Sequence, residues 1–392
     1  MKNMCAIVAI MAVFTLAVCF IMTGSISEEL KSRLDIDNSA IGTMVFIFSF
    51  TCMIVQLIVG PLVDRIGHKS LAVLGFLVAG ISIFLLAFAQ SFALVLAATV
   101  LLGIGAICCN TVGNTLLPVV LFDGKEPSRA SNFGNAFVGL AFVLIPLTIV
   151  TLINDLGWSY ERTLSIIASV VLIFAVFAFI SNYPRVSTGF ELAKAVRLLS
   201  QPLVLLAALA LVCYIGLEFS MNTWIKPLMT ELYEKTGNAN AVRDAGRILA
   251  LFGLAMAVGR FLTSMVKNLS QIGTFVVAGG ALVVVGSVML MVCTANPRLA
   301  TLAVLVTGLA FAPMFPTIVG VTFSKYDAGL YGSIFGIIFS IGLLGSMILP
   351  KLIGSLSVNK TIQQSLPITG IMAGVLLIIA LLMGRAYKRH NK

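Results

Sequence analysis

The chain has 392 residues, of which 59% are hydrophobic and only 10% are charged. A soluble globular protein has about 25% charged residues, so this composition excludes a water-soluble domain, a disordered chain and a disulfide-stapled secreted module. The net charge of +10 does not indicate a nucleic-acid partner, because the basic residues lie scattered between apolar runs and form no basic face. The sequence predicts a protein whose surface mostly contacts the lipid bilayer.

Twelve apolar runs are long enough to cross the bilayer as helices, which takes about 20 residues each. In chain order they cover approximately residues 4–24, 40–60, 70–90, 92–117, 131–153, 163–182, 202–223, 244–266, 271–293, 297–322, 328–353 and 366–386. The spans must be helical, because lipid cannot satisfy free backbone polar groups and no alternating barrel pattern is present. The predicted fold class is an all-α membrane protein.

The twelve spans divide into two groups of six. The longest connection follows the sixth span and predicts a cytoplasmic linker at 184–201 between bundles at 1–183 and 202–392. The fifth span contains the run NAFVGLAFVLIP and the eleventh the run GIIFSIGLLGSMILP. Each run closes on a proline near the outer face, Pro146 and Pro350, which indicates a parallel repeat with pseudo-symmetric halves. With both termini placed in the cytoplasm, the inner segments contain most of the Lys and Arg residues.

The segment between the second and third spans reads GPLVDRIGHK over residues 60–69. Its motif positions are Gly60, Asp64, Arg65, Gly67 and Lys69. Gly67 permits a tight inner turn, and Asp64 can face a helix N-terminus. The segment resembles the signature loop G-x-L-x-D-R-x-G-R-K of the major facilitator superfamily, with His68 where arginine is commoner. The resemblance implies the major facilitator fold and a loop that latches the two halves at the cytoplasmic side.

Two more arginines are predicted to belong to this inner gate. Arg129 lies in the run that opens the fifth span. Arg260 lies with Gly259 and Lys267 near the inner end of the eighth span, where the sequence has a degenerate copy of the signature loop.

Shorter runs resemble the fucose–proton symporter and sugar-transporting branch of that superfamily. They are CCNTVGNTLLPVV in the fourth span, SRASNFGNAFVGLA in the fifth and YIGLEFSMNTW in the seventh. This resemblance implies proton-coupled transport of a sugar. The chain departs from the branch because the first span has no acid before Glu28 and the fourth has Asn110 and Asn114 where the symporter has an acid. The proton relay of the branch therefore does not transfer directly.

Glu218 is the one acid that we place well inside a span, and we expect no Lys or Arg at comparable depth. A charged side chain there costs about 2.5–3.5 kcal/mol on insertion scales, so such residues are functional candidates. A carboxyl group without a partner favours its protonated form, which suits a proton carrier. Attraction of a cation, hydrogen bonds to sugar hydroxyls, a protonated structural acid or a wet vestibule are the alternatives.

Amides and one aromatic residue complete the predicted substrate site. They are Gln56, Asn110, Asn114, Asn135, Asn222 and Trp224. Asn110 and Asn114 are four residues apart and share one helix face. Facing amides with an aromatic platform suit a neutral polyhydroxy ligand. Amides also hold membrane helices together, and Trp224 could equally belong to an interfacial belt.

These features predict a secondary active transporter that moves a small, neutral, sugar-like solute by alternating access, as a proton-coupled symporter. Na⁺ is the alternative coupling ion, and a proton-coupled exporter of hydrophobic or cationic compounds is the alternative function. Without a Lys or Arg inside a span, an anionic substrate is disfavoured. We expect a multi-pass protein of the cell inner or plasma membrane, monomeric and without a cofactor. No enzyme is expected, because no nucleophile–base set or metal-ligand spacing is present.

Overall fold

A computed structural model describes residues 2–121, 127–184, 192–264, 269–326 and 330–389, and within these ranges the chain is helical without strands. The helices are α1 (Lys2–Ser25), α2 (Ser27–Leu34), α3 (Asn38–Phe88), α4 (Phe92–Val120), α5 (Pro127–Ile149, continued by a π-helical turn at Val150–Asp155), α6 (Tyr160–Ile180), α7 (Leu192–Leu198), α8 (Pro202–Lys235), α9 (Ala241–Ser264), α10 (Leu269–Cys293), α11 (Pro297–Phe311), α12 (Met314–Phe323), α13 (Tyr331–Leu356), α14 (Ile362–Ser365) and α15 (Pro367–Arg389). In the described part, twelve stretches are long and apolar enough to cross a membrane. The predicted all-α class with twelve spans is confirmed.

The chain forms two compact units. Unit 1 comprises Met1–Ile36 and Ile47–Thr188, and unit 2 comprises Asp37–Phe46 and Gly189–Lys392. The first residues of α3 therefore belong to unit 2. The predicted division at 184–201 had assigned them to the first bundle, 1–183. Of that predicted linker, residues 185–191 lie outside the described part of the chain, and α7 follows them.

The second and third spans form the single element α3, and the motif segment 60–69 is helical except at one residue. Gly67 has φ 81° and ψ 159°, a backbone conformation that a residue with a Cβ atom rarely adopts. The turn that we predicted as a loop is therefore a sharp kink made at a glycine.

The seventh span extends further than predicted. We expected it to end near residue 223, but α8 continues to Lys235 with Pro227 inside it. Its 34 residues give a length of about 51 Å at 1.5 Å per residue. Lys226, which we had placed in an outer segment, lies inside this helix and is buried. The apolar run alone set the predicted end, and burial within unit 2 extends the helix beyond it.

Prolines affect three further spans in different ways. Pro146 and Pro350 lie inside α5 and α13, a few residues before these helices end. The tenth span is interrupted only locally, since α11 ends at Phe311 and α12 begins at Met314, while Ala312 and Pro313 between them keep right-handed helical backbone angles. Proline lacks an N–H group and clashes with the preceding turn, which explains the interruption.

Glycines bring α8 and α13 into close contact within unit 2. A Cβ atom on Gly216 would lie 3.0 Å from the carbonyl oxygen of Gly345, so the two backbones pack directly against each other. Small residues commonly permit this approach in membrane helices. The contact fixes α8 beside α13 over the turn that contains Glu218, and this arrangement positions the site described next.

Candidate functional site

An ion pair lies inside unit 2. The Nη2 atom of Arg260 on α9 donates a hydrogen bond to Oε1 of Glu218 on α8 over 3.3 Å, and the two side chains are 16% and 13% exposed. The expectation that Glu218 has no basic partner is therefore wrong. Arg260 faces the carboxylate because its place on α9 directs it towards α8, and its predicted part in the inner gate stays a prediction.

Two polar atoms beside this pair have unused hydrogen-bonding capacity. Tyr214 lies one helical turn before Glu218, and its hydroxyl interacts electrostatically with both charged groups. Within the described residues, this hydroxyl and the Nε atom of Arg260 are buried and make no hydrogen bond of normal geometry. Buried polar groups are nearly always hydrogen-bonded, so two such atoms beside one ion pair call for an explanation.

Aromatic rings adjoin Tyr214. Phe315 on α12 lies 6.1 Å from the Tyr214 ring, measured between centroids, and 6.4 Å and 6.2 Å from Phe335 and Phe339 on α13. Phe335 and Phe339 stack at 5.4 Å with 14° between their planes. We refer to Tyr214, Phe315, Phe335 and Phe339 as the aromatic cluster. Sequence reasoning missed it, although the four-residue spacing of Phe335 and Phe339 was visible.

Three predicted site residues come together in unit 1. Asn110 donates from Nδ2 to Oε1 of Gln56 over 3.1 Å, and Asn114 donates from Nδ2 to Oδ1 of Asn110 over 2.7 Å. We refer to Gln56, Asn110 and Asn114 as the amide chain. Gln56 and Asn110 are buried and Asn114 is exposed, so the amide chain leads from the interior of unit 1 to its surface. Among the described contacts, the Asn114 side-chain oxygen and the Gln56 amide nitrogen remain available for a ligand.

The other predicted substrate residues do not join these clusters. The side chain of Asn135 lies outside the described part of the structure. Asn222 is buried in unit 2, and its Oδ1 atom has no hydrogen-bond partner among the described residues. Trp224 is 1% exposed, and its Nε1 donates to the carbonyl oxygen of Pro350 over 3.1 Å. This burial excludes an interfacial belt, and we assign Trp224 to packing within unit 2.

The predicted inner gate is described only in part. The side chains of Asp64, Arg65 and Arg129 lie outside the described residues. Lys69 is exposed, with its Nζ atom 5.1 Å from the ring centroid of Phe179. Gly60 is buried within α3, seven residues before the kink at Gly67. The gating role of this segment stays a prediction.

His68, where the signature loop more often has arginine, is buried beside the kink in α3. Its Nε2 atom lies 2.9 Å from Oγ1 of Thr115 on α4, so this residue bonds α3 to α4 within unit 1.

Two lysines lie inside spans, contrary to expectation. Lys226 is buried on α8. Lys351 on α13 donates from Nζ to the carbonyl oxygen and Oγ of Ser39, both over 3.0 Å, and to Oγ1 of Thr43 over 2.5 Å. All three of these hydrogen-bonded residues belong to unit 2. The argument against an anionic substrate, which depended on the absence of such cations, therefore no longer holds.

The family is decided by a profile match over most of the chain. The model of the Major Facilitator Superfamily matches residues 5–350. The chain belongs to the Major Facilitator Superfamily. It is accordingly a multi-pass membrane transporter, as the motif at 60–69 indicated. Members of this family transport solutes and are not enzymes.

Characterised relatives transport several classes of solute. A purine ribonucleoside efflux pump, NepI of Shigella dysenteriae, is 24% identical over 309 residues, which are 77% of this chain and 76% of the pump. The human synaptic vesicular amine transporter is 26% identical over 239 residues, 58% of this chain and 46% of that protein. Neither is named as a sugar transporter, so the predicted sugar branch stays a prediction.

Solved structures share the fold. A bacterial homologue of the lysosomal transporter Spinster, inward-facing and unoccupied, has a TM-score of 0.77 at 12% identity and covers 98% of this chain and 97% of its own. A point mutant of the nucleoside transporter NupG has a TM-score of 0.77 at 14% identity, covering 96% of this chain and 98% of its own. At these identities the likeness shows the fold alone.

Proposed function

We propose that this protein is a proton-coupled secondary active transporter that moves a neutral, hydroxyl-bearing solute by alternating access. Unit 1 and unit 2 would be the two bundles of that mechanism, joined through the linker predicted at 184–201. The observation that supports coupling is the Glu218–Arg260 ion pair inside unit 2. A carboxylate and a guanidinium are expensive within a membrane span, so a pair kept there is a candidate for a functional role.

The ion pair offers two states that differ by one proton. With Glu218 ionised, the carboxylate holds the Arg260 side chain and each charge compensates the other. With Glu218 protonated, the charge–charge attraction is lost and the guanidinium becomes free to bind another acceptor. Breaking a buried pair is costly, commonly about 3–5 kcal/mol, so protonation can bias which conformation of the protein is populated.

The amide chain supports binding of a neutral solute. Its three side chains are uncharged, and each amide has both a donor and an acceptor, which matches solute hydroxyls that also do both. The exposed end at Asn114 is where a solute would exchange its bonds to water for bonds to protein. The hydrogen bond from Asn110 on α4 to Gln56 on α3 holds the amide chain in place before the solute binds.

Sugars and ribonucleosides both satisfy this description, because a ribonucleoside includes a ribose. The resemblance to the fucose–proton symporter branch favours the sugar, and the relative named as a purine ribonucleoside efflux pump favours the ribonucleoside. We propose proton-coupled symport as the mode of transport. The membrane would be the plasma or inner membrane, with both termini in the cytoplasm and a single chain as the working unit.

A second candidate function is proton-coupled export of amines or hydrophobic cations. The Glu218 carboxylate and the nearby aromatic cluster suit a cationic solute, since aromatic rings attract cations through their faces. The relatives named as synaptic vesicular and chromaffin granule amine transporters support the same alternative. Here Glu218 would bind the amine and the proton in turn.

One experiment separates these functions. The purified full-length protein is reconstituted in liposomes, an outwardly or inwardly directed pH gradient is imposed, and accumulation of labelled fucose, ribose, adenosine and tryptamine is measured. We expect a neutral solute to accumulate on the side towards which protons flow. Accumulation of tryptamine alone, in the direction opposite to proton flow, would establish the exporter instead. Accumulation that is unchanged by dissipating the gradient would refute coupling.

A further inference from the structure

We propose that the aromatic cluster of unit 2 is a subsite for a planar, heteroaromatic ring of the solute. The inference rests on the proposed function and narrows it: the solute carries a ring with a hydrogen-bonding edge in addition to its hydroxyl groups. A ribonucleoside has this chemistry, and a free monosaccharide does not.

The three phenylalanine rings of the cluster combine both common aromatic packing geometries. Phe335 and Phe339 are nearly parallel, at 14°, while Phe315 stands edge-on to them at 86° and 82°. Aromatic pairs favour offset-stacked or edge-to-face geometry, so a further ring can extend either arrangement. Phe339 and Tyr214 are buried, but Phe315 and Phe335 remain half-buried, which leaves part of their surface accessible to a ligand.

Helix geometry explains why the rings meet at this place. Phe335 and Phe339 lie one turn apart on α13, and the close contact of Gly216 with Gly345 brings that helix against α8, which contains Tyr214. Phe315 follows the break between α11 and α12.

Unsatisfied polar atoms point to a ligand that is more than apolar. Tyr214 is a member of the aromatic cluster and also lies beside the ion pair. Its buried hydroxyl interacts with both charged groups, and within the described residues neither this hydroxyl nor the buried Nε atom of Arg260 makes a hydrogen bond of normal geometry. Polar atoms at the edge of the aromatic cluster suit a ligand that also carries polar atoms. A heteroaromatic ring against Phe315 and Phe335 would offer nitrogen and oxygen atoms to both.

Because Tyr214 and Arg260 lie beside Glu218, binding of the ring would affect protonation of the Glu218 carboxylate. A ligand atom that accepts from the Nε–H of Arg260 and turns the guanidinium away from Glu218 lengthens the bond from Nη2 to the carboxylate, and a weaker ion pair favours protonation of that carboxylate. Binding of the ring and binding of the proton are then mutually supportive, which is the requirement for symport.

The test measures binding of adenosine, ribose and tryptamine to the purified full-length protein by equilibrium dialysis. We expect adenosine to bind at least about tenfold more tightly than ribose. Replacing Phe315→Leu or Phe335→Leu should remove most of that preference, whereas Phe315→Tyr and Phe335→Trp, which keep a ring, should retain it. Phe133→Leu is the matched control, because that exposed ring lies on α5 in unit 1 and should change nothing.

Each outcome decides the inference. Ribose binding as tightly as adenosine and tryptamine, or equal losses for all three probes in the Phe315→Leu and Phe335→Leu proteins, would overturn it. Tryptamine binding above adenosine, with the same ring dependence, keeps the ring subsite and identifies an aromatic amine as its occupant. A melting curve of each variant shows whether it is folded, and Phe339→Leu replaces any variant that is not.

Failure of the inference and failure of the proposed function look different. A ring-dependent preference in binding without any effect of a pH gradient on uptake would retain the subsite and refute proton coupling. Gradient-driven uptake of ribose that is indifferent to Phe315→Leu would retain coupling and refute the subsite.

Discussion

The two units differ in the kind of polar group that they place in their interiors. In unit 1 the amide chain connects neutral side chains, Gln56 to Asn110 to Asn114. In unit 2 the described polar contacts include the Glu218–Arg260 pair and the half-buried Lys351. Neutral amides respond little to pH, whereas a carboxylate loses its charge on protonation. The difference suggests that the two units divide the work, with recognition of hydroxyl groups in unit 1 and proton coupling in unit 2.

Two cations of unit 2 differ in the groups that compensate their charge. Arg260 is compensated by a carboxylate, and Lys351 by hydroxyl and carbonyl oxygens of the first turns of α3. Of these two arrangements, the first alone can be switched by a proton taken up at the partner. We therefore expect substitutions at Glu218 and at Lys351 to affect different properties of the protein.

The largest effect is expected from Glu218→Gln. The amide cannot be protonated and cannot pair with Arg260 as an anion, so accumulation against a gradient should be abolished while exchange of solute at equal concentrations continues. Counterflow and uphill uptake in liposomes measure the two activities. Glu161→Gln, which removes the carboxylate of an ion pair with Arg33 near the surface of unit 1, is the matched control and should accumulate solute normally. Full uphill uptake by Glu218→Gln would end the assignment of the coupling group.

Asn110→Ala should weaken solute binding without affecting coupling. The substitution removes the bond to Gln56 and the bond from Asn114 to the Asn110 side chain, while Asn114 keeps its bond to the Asn110 backbone carbonyl. Each lost hydrogen bond is worth about 0.5–1.5 kcal/mol, so we expect the KM to rise about tenfold to a hundredfold at an unchanged proton-to-solute ratio. Asn296→Ala serves as the control, because that side chain caps α11 and should affect stability alone. A changed proton-to-solute ratio in Asn110→Ala would break the division between the units.

Lys351→Met should lower stability and leave the pH dependence of transport intact. The ammonium makes three hydrogen bonds, and bonds to charged groups contribute about 1.5–3 kcal/mol each before the cost of burying the charge. Thr43 still donates to the carbonyl oxygen of Ser39, so that hydroxyl keeps a partner and the net loss should be about 1–3 kcal/mol. Thermal unfolding in detergent measures it. Loss of proton coupling in this variant would contradict the comparison of the two cations.

Trp224→Phe should have the smallest effect. It removes one buried hydrogen bond, from Nε1 to the carbonyl oxygen of Pro350, which is worth about 1 kcal/mol. A small drop in melting temperature with unchanged affinity for the solute is the expected result. A large loss of affinity would restore Trp224 to the binding site, where the sequence had placed it.

The sequence was sufficient for the spans and the family because both depend on local patterns. Twenty or so apolar residues identify a crossing helix wherever it packs, and the GPLVDRIGHK segment is read directly from adjacent residues. Asn110 and Asn114 could be placed on one face because they are four residues apart. The extension of α8 past Lys226 was not predicted, because burial of a lysine depends on residues that are distant in the sequence.

Pairings between distant parts of the chain were beyond the sequence. Glu218 and Arg260 are separated by 42 positions, and nothing in either helix alone shows that the two face each other. Lys351 reaches Ser39 over 312 positions. The aromatic cluster depends on how α12 follows α11 in the tenth span and on the contact of Gly216 on α8 with Gly345 on α13. Each spacing is visible in the sequence, but its consequence appears only when the helices are packed.

The most direct test is the proton flux that accompanies solute movement. Liposomes with the protein and an internal pH dye, without an imposed pH gradient, receive a concentration gradient of the transported solute. We predict that the wild-type protein moves protons together with the solute and that Glu218→Gln moves the solute without a change in internal pH. A pH change of the same size in both proteins would contradict the claim that Glu218, paired with Arg260, couples protons to transport.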